Sequence, residues 1–147
     1  MPLPIDLNLV CAQSRLALVR AVGNDVTLKV EVTSARCPVL AERSEIEQLL
    51  LDLAISAKHS MPEGGTLTIR VSSVVEVPPG LRHPYVRAHS YTRLTFSDTS
   101  RQTERDLVSV AQAVHALGGT LRIESDDGPG THVTVDLPCA DPAIGRL

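Results

Sequence analysis

Residues 44–71 of this chain read SEIEQLLLDLAISAKHSMPEGGTLTIRV, and this stretch decides the fold. Apolar side chains recur in its first half with the three- and four-residue spacing of one helical face: Ile46, Leu49, Leu50, Leu53, Ala54 and Ala57. Ser44 is predicted as the helix N-cap, and Glu47 as its capping-box partner. Met61-Pro62 ends the helix because proline cannot donate the next hydrogen bond. After Gly64-Gly65, apolar residues alternate as in a strand.

A second, polar stripe follows the same helix. Its members also recur every three or four residues: Glu45, Gln48, Asp52, Ser56 and His59. Such a stripe is typical of a solvated helix face. It becomes a candidate site only if other parts of the chain bring functional groups beside it.

Length and composition exclude several classes of protein. The chain has 147 residues and a net charge of −3, so nothing favours binding to nucleic acid or acidic lipid. Its three cysteines are far apart and form no CxxC pair, which argues against a disulfide framework or a zinc site. No apolar run approaches the roughly 20 residues of a membrane helix. We expect a cytoplasmic protein that contacts neither membrane nor nucleic acid.

The rest of the chain alternates between helical and extended patterns. Helices are predicted over residues 9–22 and 104–117, and strands over residues 26–32, 66–77, 91–98, 121–125 and 131–137. Residues 2–7 are predicted to be extended, and residues 37–43 to be a connector. This order predicts a two-layer α/β sandwich with helices on one face of a mixed sheet. One domain is expected over residues 1–147, with its core at about 7–138. The predicted core includes Leu49, Leu53, Leu94, Phe96, Val110 and Val133.

Three segments resemble one family in the same order. LLLDLAISAKHSMPEGGTLTIRV resembles the N-box pattern LLNLxxNAxxAMPxGGxLxI of the histidine-kinase-like ATPases, the GHKL superfamily. LALVRAVGNDVTLKVEV is similar to the segment that enters the ATPase domain of many histidine kinases, and GGTLRIESDDGPGTHVTVDLP to their closing hairpin. The resemblance covers residues 16–138 and implies the ATP-binding fold of bacterial sensor kinases. The phosphoacceptor hairpin that precedes this fold in those kinases is expected to be absent.

The residues that bind ATP in that family are mostly replaced here. The resemblance places Asp52 and Ser56 at the two N-box asparagines, of which the second holds magnesium in the family. Asp98 matches the aspartate that binds adenine, but Ser100 and Gln102 occupy the glycine positions of its DxGxG motif. In the second glycine motif Thr103 is kept, while Glu104 and Asp106 replace glycines. The two motifs adjoin, so the ATP lid is expected to be missing. The vestigial pocket positions are Asp52, Ser56, Asp98, Ser100 and Thr103.

These departures predict a domain that is not an enzyme, with no catalytic residue, cofactor or metal. We expect a degenerate ATPase domain that acts as an interaction or adapter module in bacterial two-component signalling. Its partner is expected to be a protein, either a response regulator or a histidine kinase. A locally basic loop is the candidate partner-binding surface, with Arg82, His83, Tyr85 and Arg87.

Two alternatives stay open. Instead of a non-catalytic module, the chain is a lidless nucleotide-binding enzyme in the first alternative and the ATPase domain of a larger histidine kinase in the second. Other chemistries have no support, because G-x-S-x-G, HExxH and Walker A motifs are absent. None of the five histidines has metal-ligand spacing with cysteine or aspartate. A phosphoacceptor role for His115 is less favoured than a solvated helix position.

Overall fold

The computed structural model describes residues 4–33, 37–76, 89–100, 107–125 and 130–139. Along the chain its elements are β1 (Pro4–Asp6), α1 (Leu7–Gln13), α2 (Arg15–Val22), β2 (Val26–Glu31), β3 (Pro38–Leu40), α3 (Arg43–Ser60), β4 (Gly65–Glu76), β5 (His89–Asp98), α4 (Val108–Ala116), β6 (Thr120–Ser125) and β7 (Thr131–Pro138).

A five-stranded mixed sheet forms one layer of the domain. Its strand order is β2-β4-β5-β7-β6, with β2 parallel to β4 and every other neighbouring pair antiparallel. A short antiparallel pair, β1 and β3, lies beside it. The two-layer mixed α/β fold predicted from the sequence is therefore confirmed.

The core lies between the helices and one face of this sheet. The alternation of the strands puts apolar residues on that face and polar residues on the other. All six predicted core residues are buried: Leu49, Leu53, Leu94, Phe96, Val110 and Val133. They belong to one hydrophobic cluster, which also includes residues of α1, α2 and β3. The cluster fixes α3 over the sheet and so places the polar stripe of α3 at the surface.

The helix predicted over residues 9–22 was wrong as a single element. It is two helices that meet at Ser14, whose ψ of −4° departs from helical geometry. Leu18 and Val22, four residues apart, are buried together, while Leu16 is 62% exposed. Residues two apart in a helix point in nearly opposite directions, so Leu16 has to face away from Leu18.

The predicted N-cap of α3 was also wrong. The cap is Glu42, and the capping box joins it to Glu45, whose Oε1 accepts a hydrogen bond from the Glu42 backbone N–H at 2.9 Å. The predicted partner Glu47 instead pairs with Arg43 one helical turn earlier, at 2.7 Å. The helix therefore begins one residue earlier than Ser44.

Smaller differences concern other parts of the chain. The predicted lead-in and connector contain β1 and β3, which pair with each other. Within the described residues, α4 begins at Val108, because Leu107 has non-helical backbone angles, and the predicted start at residue 104 lies outside the described residues. The glycine turn between α3 and β4 is confirmed: Gly64 has a φ of +90°, and a Cβ there would lie 2.5 Å from the Asp25 carbonyl oxygen.

Candidate functional site

The polar stripe of α3 lies at the surface, as predicted. Gln48 Nε2 donates a hydrogen bond to Asp52 Oδ1 at 2.8 Å, which holds these neighbouring side chains together along the helix. Ser56 is half-buried, and its carbonyl oxygen accepts a hydrogen bond from Ser60 Oγ at 3.1 Å. Between residues 48 and 56 the stripe therefore offers one amide, one carboxylate and one hydroxyl.

Asp98 is the most enclosed of the predicted site residues. It ends β5, is only 4% exposed, and its Oδ1 accepts a hydrogen bond from the Ser100 backbone N–H at 3.0 Å. This Asx-type bond closes a local turn after the strand. The carboxylate that the resemblance assigns to adenine binding thus makes a bond inside the protein.

Ser100 closes the same corner from the other side. It is 5% exposed, and its Oγ donates to Thr131 Oγ1 at 3.4 Å, while the Thr131 hydroxyl also lies 3.5 Å from the Ser100 carbonyl oxygen. Thr131 is fully buried and is paired with Asp98 across β5 and β7. The Ser100 side chain therefore fills space beside the backbone that a glycine at this position would leave empty.

The junction between α3 and β4 borders this corner. Thr99 Oγ1 accepts a hydrogen bond from the Thr66 backbone N–H at 3.2 Å and donates to Met61 Sδ at 3.4 Å. A Cβ at Gly65 would collide with both Thr99 Oγ1 and Met61 Sδ. The end of α3 and the end of β5 are thereby joined next to Asp98.

Sequence reasoning missed Thr131 and Thr99. Both are ordinary strand-end threonines, and the only signal in the sequence is that each adjoins a motif that resembles the family. The structure brings together Asp98, Ser100 and Thr131, while Asp52 and Ser56 lie on the helix that packs over β5. Thr103 and the loop residues Arg82, His83, Tyr85 and Arg87 lie outside the described residues, as do residues 101–106, where the lid was predicted to be missing.

A groove separates α3 from α4 and contains part of the polar stripe. Its volume is about 310 Å³, and it is lined by Ser44, Glu45, Gln48, Leu49, Asp52, Ala113 and Leu117. Neither Glu45 nor Asp52 takes part in an ion pair with a described residue. The groove therefore has an apolar floor and an acidic rim.

Metal and thiolate chemistry find little support in the described part of the chain. It contains no cluster of three or more His, Cys, Asp or Glu side chains arranged to hold a metal ion. Burial, reinforced by the neighbouring Cys37 and Asp6, raises the pKa of the Cys11 thiol to about 12. Burial likewise raises the pKa of Cys37. Both thiols are therefore protonated and weakly nucleophilic at neutral pH. No helix in the described ranges is long and apolar enough to cross a membrane.

Solved structures of histidine kinases share this architecture. A mycobacterial sensor histidine kinase, MprB, superposes with a TM-score of 0.68 at 22% identity, covering 95% of this chain and 98% of that one. The catalytic domain of histidine kinase ThkA gives a TM-score of 0.70 at 14% identity, covering 95% and 96%. The blue-light-activated histidine kinase EL346 of Erythrobacter litoralis gives 0.62 at 25% identity, covering 92% and 62%.

Relatives in sequence agree with these structures. Sensor kinase CckA of Brucella abortus (strain 2308) is 38% identical over 73 residues, half of this chain and 8% of the relative. Sporulation kinase D of Bacillus subtilis (strain 168) is 29% identical over 134 residues, 84% of this chain and 26% of the relative. The chain is similar in sequence to sensor histidine kinases and has the fold of histidine kinase catalytic domains, which is consistent with a GHKL-like domain. No family model matches the chain.

The chain corresponds to only part of each of these relatives. Sensor histidine kinase ZraS of Klebsiella oxytoca matches 91% of the chain at 28% identity, yet the chain spans 31% of ZraS. The chain therefore spans less than a third of the length of CckA, of sporulation kinase D and of ZraS. The resemblance stated from sequence is confirmed at the level of fold and relationship.

Proposed function

We propose that this GHKL-like domain is a non-catalytic pseudo-ATPase that serves as a protein-interaction module in bacterial two-component signalling, in the cytoplasm. The observation that carries the proposal is the closed corner at the end of β5. There the Asp98 carboxylate is bonded to Ser100 N–H at 3.0 Å and the Ser100 side chain is buried against Thr131. A nucleotide base would have to displace these internal bonds to reach Asp98, at a cost to its affinity.

The residues at the predicted magnesium position are also poorly suited to binding a nucleotide. Ser56 stands where the resemblance expects the magnesium ligand, and a neutral hydroxyl is a weaker ligand for a hard cation than an amide or carboxylate oxygen. Glu45 and Asp52 make the nearby groove acidic, because no described cation pairs with either. A triphosphate entering this region meets charge of its own sign.

Isothermal titration calorimetry with ATP and Mg²⁺ tests the proposal. A hydrogen bond to a charged group contributes about 1.5–3 kcal/mol, whereas a Kd of 0.1 mM requires roughly 5–6 kcal/mol. We therefore expect a Kd for Mg-ATP weaker than about 1 mM.

Mg-ATP binding with a Kd of about 0.1 mM or tighter would contradict the proposal if the Asp98→Ala variant no longer binds Mg-ATP. Asp25→Ala is the matched control, because it removes one exposed carboxylate from the turn before β2. Binding that both variants weaken alike would indicate a general charge effect and not a site at Asp98.

The relatives imply two-component signalling, in which histidine kinases and response regulators are the interacting proteins. We propose a response regulator or a histidine kinase as the partner of this domain. The basic loop with Arg82, His83, Tyr85 and Arg87 stays a predicted partner surface. It lies outside the described residues, so the structure offers the groove between α3 and α4 as the surface to test first.

A second candidate is the ATPase domain of a larger histidine kinase. Two sequence matches favour it. Sporulation kinase D matches 84% of the chain, which spans 26% of that kinase. ZraS matches 91% of the chain, which spans 31% of ZraS. The same calorimetric titration separates the two candidates, because only an ATPase domain requires Mg-ATP binding.

A further inference from the structure

Two surface depressions meet at Leu117, just after the end of α4. One is the groove between α3 and α4. The other has a volume of about 190 Å³ and lies between β3 and the end of β7. Leu117 lines both, so the two depressions adjoin at this side chain, and we call the pair the Leu117 groove.

The two ends of the Leu117 groove differ in chemistry. The end near β3 and β7 is apolar and is lined by Val39, Leu40, Ala41, Leu137, Pro138 and Cys139. Leu40 there is 52% exposed, so this depression has a large apolar side chain in contact with solvent. Burying Leu40 under a partner would remove apolar surface from water.

The end near α3 is acidic. Glu45 and Asp52 lie on its rim, and neither forms an ion pair within the described residues. Arg43, the cation nearest to Glu45 in sequence, is bound to Glu47 at 2.7 Å and lines a separate depression against α2. Two carboxylates without a described counter-charge beside an apolar floor favour a cationic ligand that also carries apolar side chains.

We infer that the Leu117 groove binds a basic amphipathic helix of a partner protein. The apolar side chains of that helix enter the β3–β7 end, and its lysine or arginine side chains reach Glu45 and Asp52. An amphipathic helix in an apolar groove is a recurring mode of peptide recognition, and here the charges fix its direction. This inference rests on the proposed function and names the chemistry of its partner.

A fluorescein-labelled peptide of Leu, Ala and Lys, about 18 residues or about 27 Å long as a helix, is the direct probe. We expect saturable one-to-one binding with a Kd on the order of 10–100 μM, weaker at 0.5 M than at 0.1 M salt because exposed charges are screened. A peptide with Glu in place of Lys, and a scrambled peptide of the same composition, should not bind.

Charge variants locate the cationic end of the peptide. Glu45→Gln with Asp52→Asn should raise the Kd about tenfold, since each exposed ion pair contributes up to about fivefold. Glu63→Gln with Glu124→Gln removes two carboxylates outside the groove and is the matched control, with the Kd unchanged. Equal effects of the two double variants would overturn the inference.

A steric variant locates the floor of the groove. Ala113 is exposed on α4 and lines the groove, so Ala113→Arg should abolish binding by filling it with a cation. His115→Arg places the same residue on nearly the opposite side of α4, where binding should persist. Wild-type affinity in Ala113→Arg would overturn the inference.

The peptide titrations and the ATP titration test the two proposals independently. Absence of peptide binding together with absence of Mg-ATP binding overturns the Leu117 groove and leaves the pseudo-ATPase proposal intact. Tight Mg-ATP binding that depends on Asp98 overturns the pseudo-ATPase proposal, whatever the peptide does.

Discussion

Burial distinguishes the individual residues of this domain, both apolar and polar. Leu53 is 2% exposed and lies on the α3 face that packs into the core, two residues before Ile55, which is 39% exposed. Asp98 is nearly as buried as Leu53, and its carboxylate has a backbone partner, as a buried charge requires. The residue that the resemblance assigns to adenine binding is therefore buried and hydrogen-bonded within the domain.

Leu53→Ala should lower the free energy of unfolding by about 2–5 kcal/mol, because it removes buried methyl groups and leaves a cavity. Ile55→Ala, in the same helix but exposed, should change it by no more than about 0.5 kcal/mol. Urea denaturation of both variants measures the difference. Equal effects would mean that the two side chains are equally buried in solution.

The start of α3 and the end of α4 are stabilised by local hydrogen bonds. Glu45 accepts a hydrogen bond from Glu42 N–H at the start of α3, and Gly118, with a φ of +79°, follows the end of α4. Just after α4, the Gly119 N–H donates a hydrogen bond back to the Val114 carbonyl oxygen at 2.9 Å. These local bonds satisfy backbone groups that a helix end leaves without partners.

Removal of the α3 capping acceptor provides a test at the level of the element. Glu45→Ala should destabilise the domain by about 0.5–1.5 kcal/mol, because the Glu42 N–H loses its acceptor. Ser44→Ala should have an effect within about 0.5 kcal/mol, since Ser44 already lies inside the helix. Thermal denaturation followed at 222 nm compares them. A larger loss in Ser44→Ala would restore Ser44 as the cap.

At the scale of the whole molecule, one hydrophobic cluster joins helices and sheet, while charges lie on the other face of the sheet. Across that outer face, Arg93 binds both carboxylate oxygens of Asp136 on the neighbouring strand, at 2.8 and 3.0 Å. Arg70 pairs with Glu31 between the parallel strands at 2.7 Å. An exposed ion pair such as Arg70–Glu31 contributes little to the free energy of unfolding, so the single core dominates stability.

Because the core is shared, we expect the domain to unfold in one cooperative transition. Circular dichroism at 222 nm reports the helices, and tyrosine fluorescence reports Tyr91 on β5 together with Tyr85. Both signals should give the same midpoint in urea. Two separate midpoints would mean that helices and sheet do not share one core.

The sequence by itself determined the fold and most of the core. Three local patterns predicted it: the apolar periodicity of α3, the alternation in β4, β5 and β7, and the glycines that end helices. The structure contains the helix and the strands that these patterns predict. Only the tertiary structure decided the break at Ser14, the cap at Glu42, the closed corner at Asp98 and the Leu117 groove.

The physical reason is the distance in sequence between the interacting groups. Ser100 and Thr131 are 31 residues apart, and Thr99 and Met61 are 38 apart, so no local pattern records that they meet. Periodicity fixes which face of an element is apolar, because that depends only on the geometry of the helix or strand. Which polar groups then meet at the edge of the core depends on strand register and helix packing, which form only when the whole chain folds.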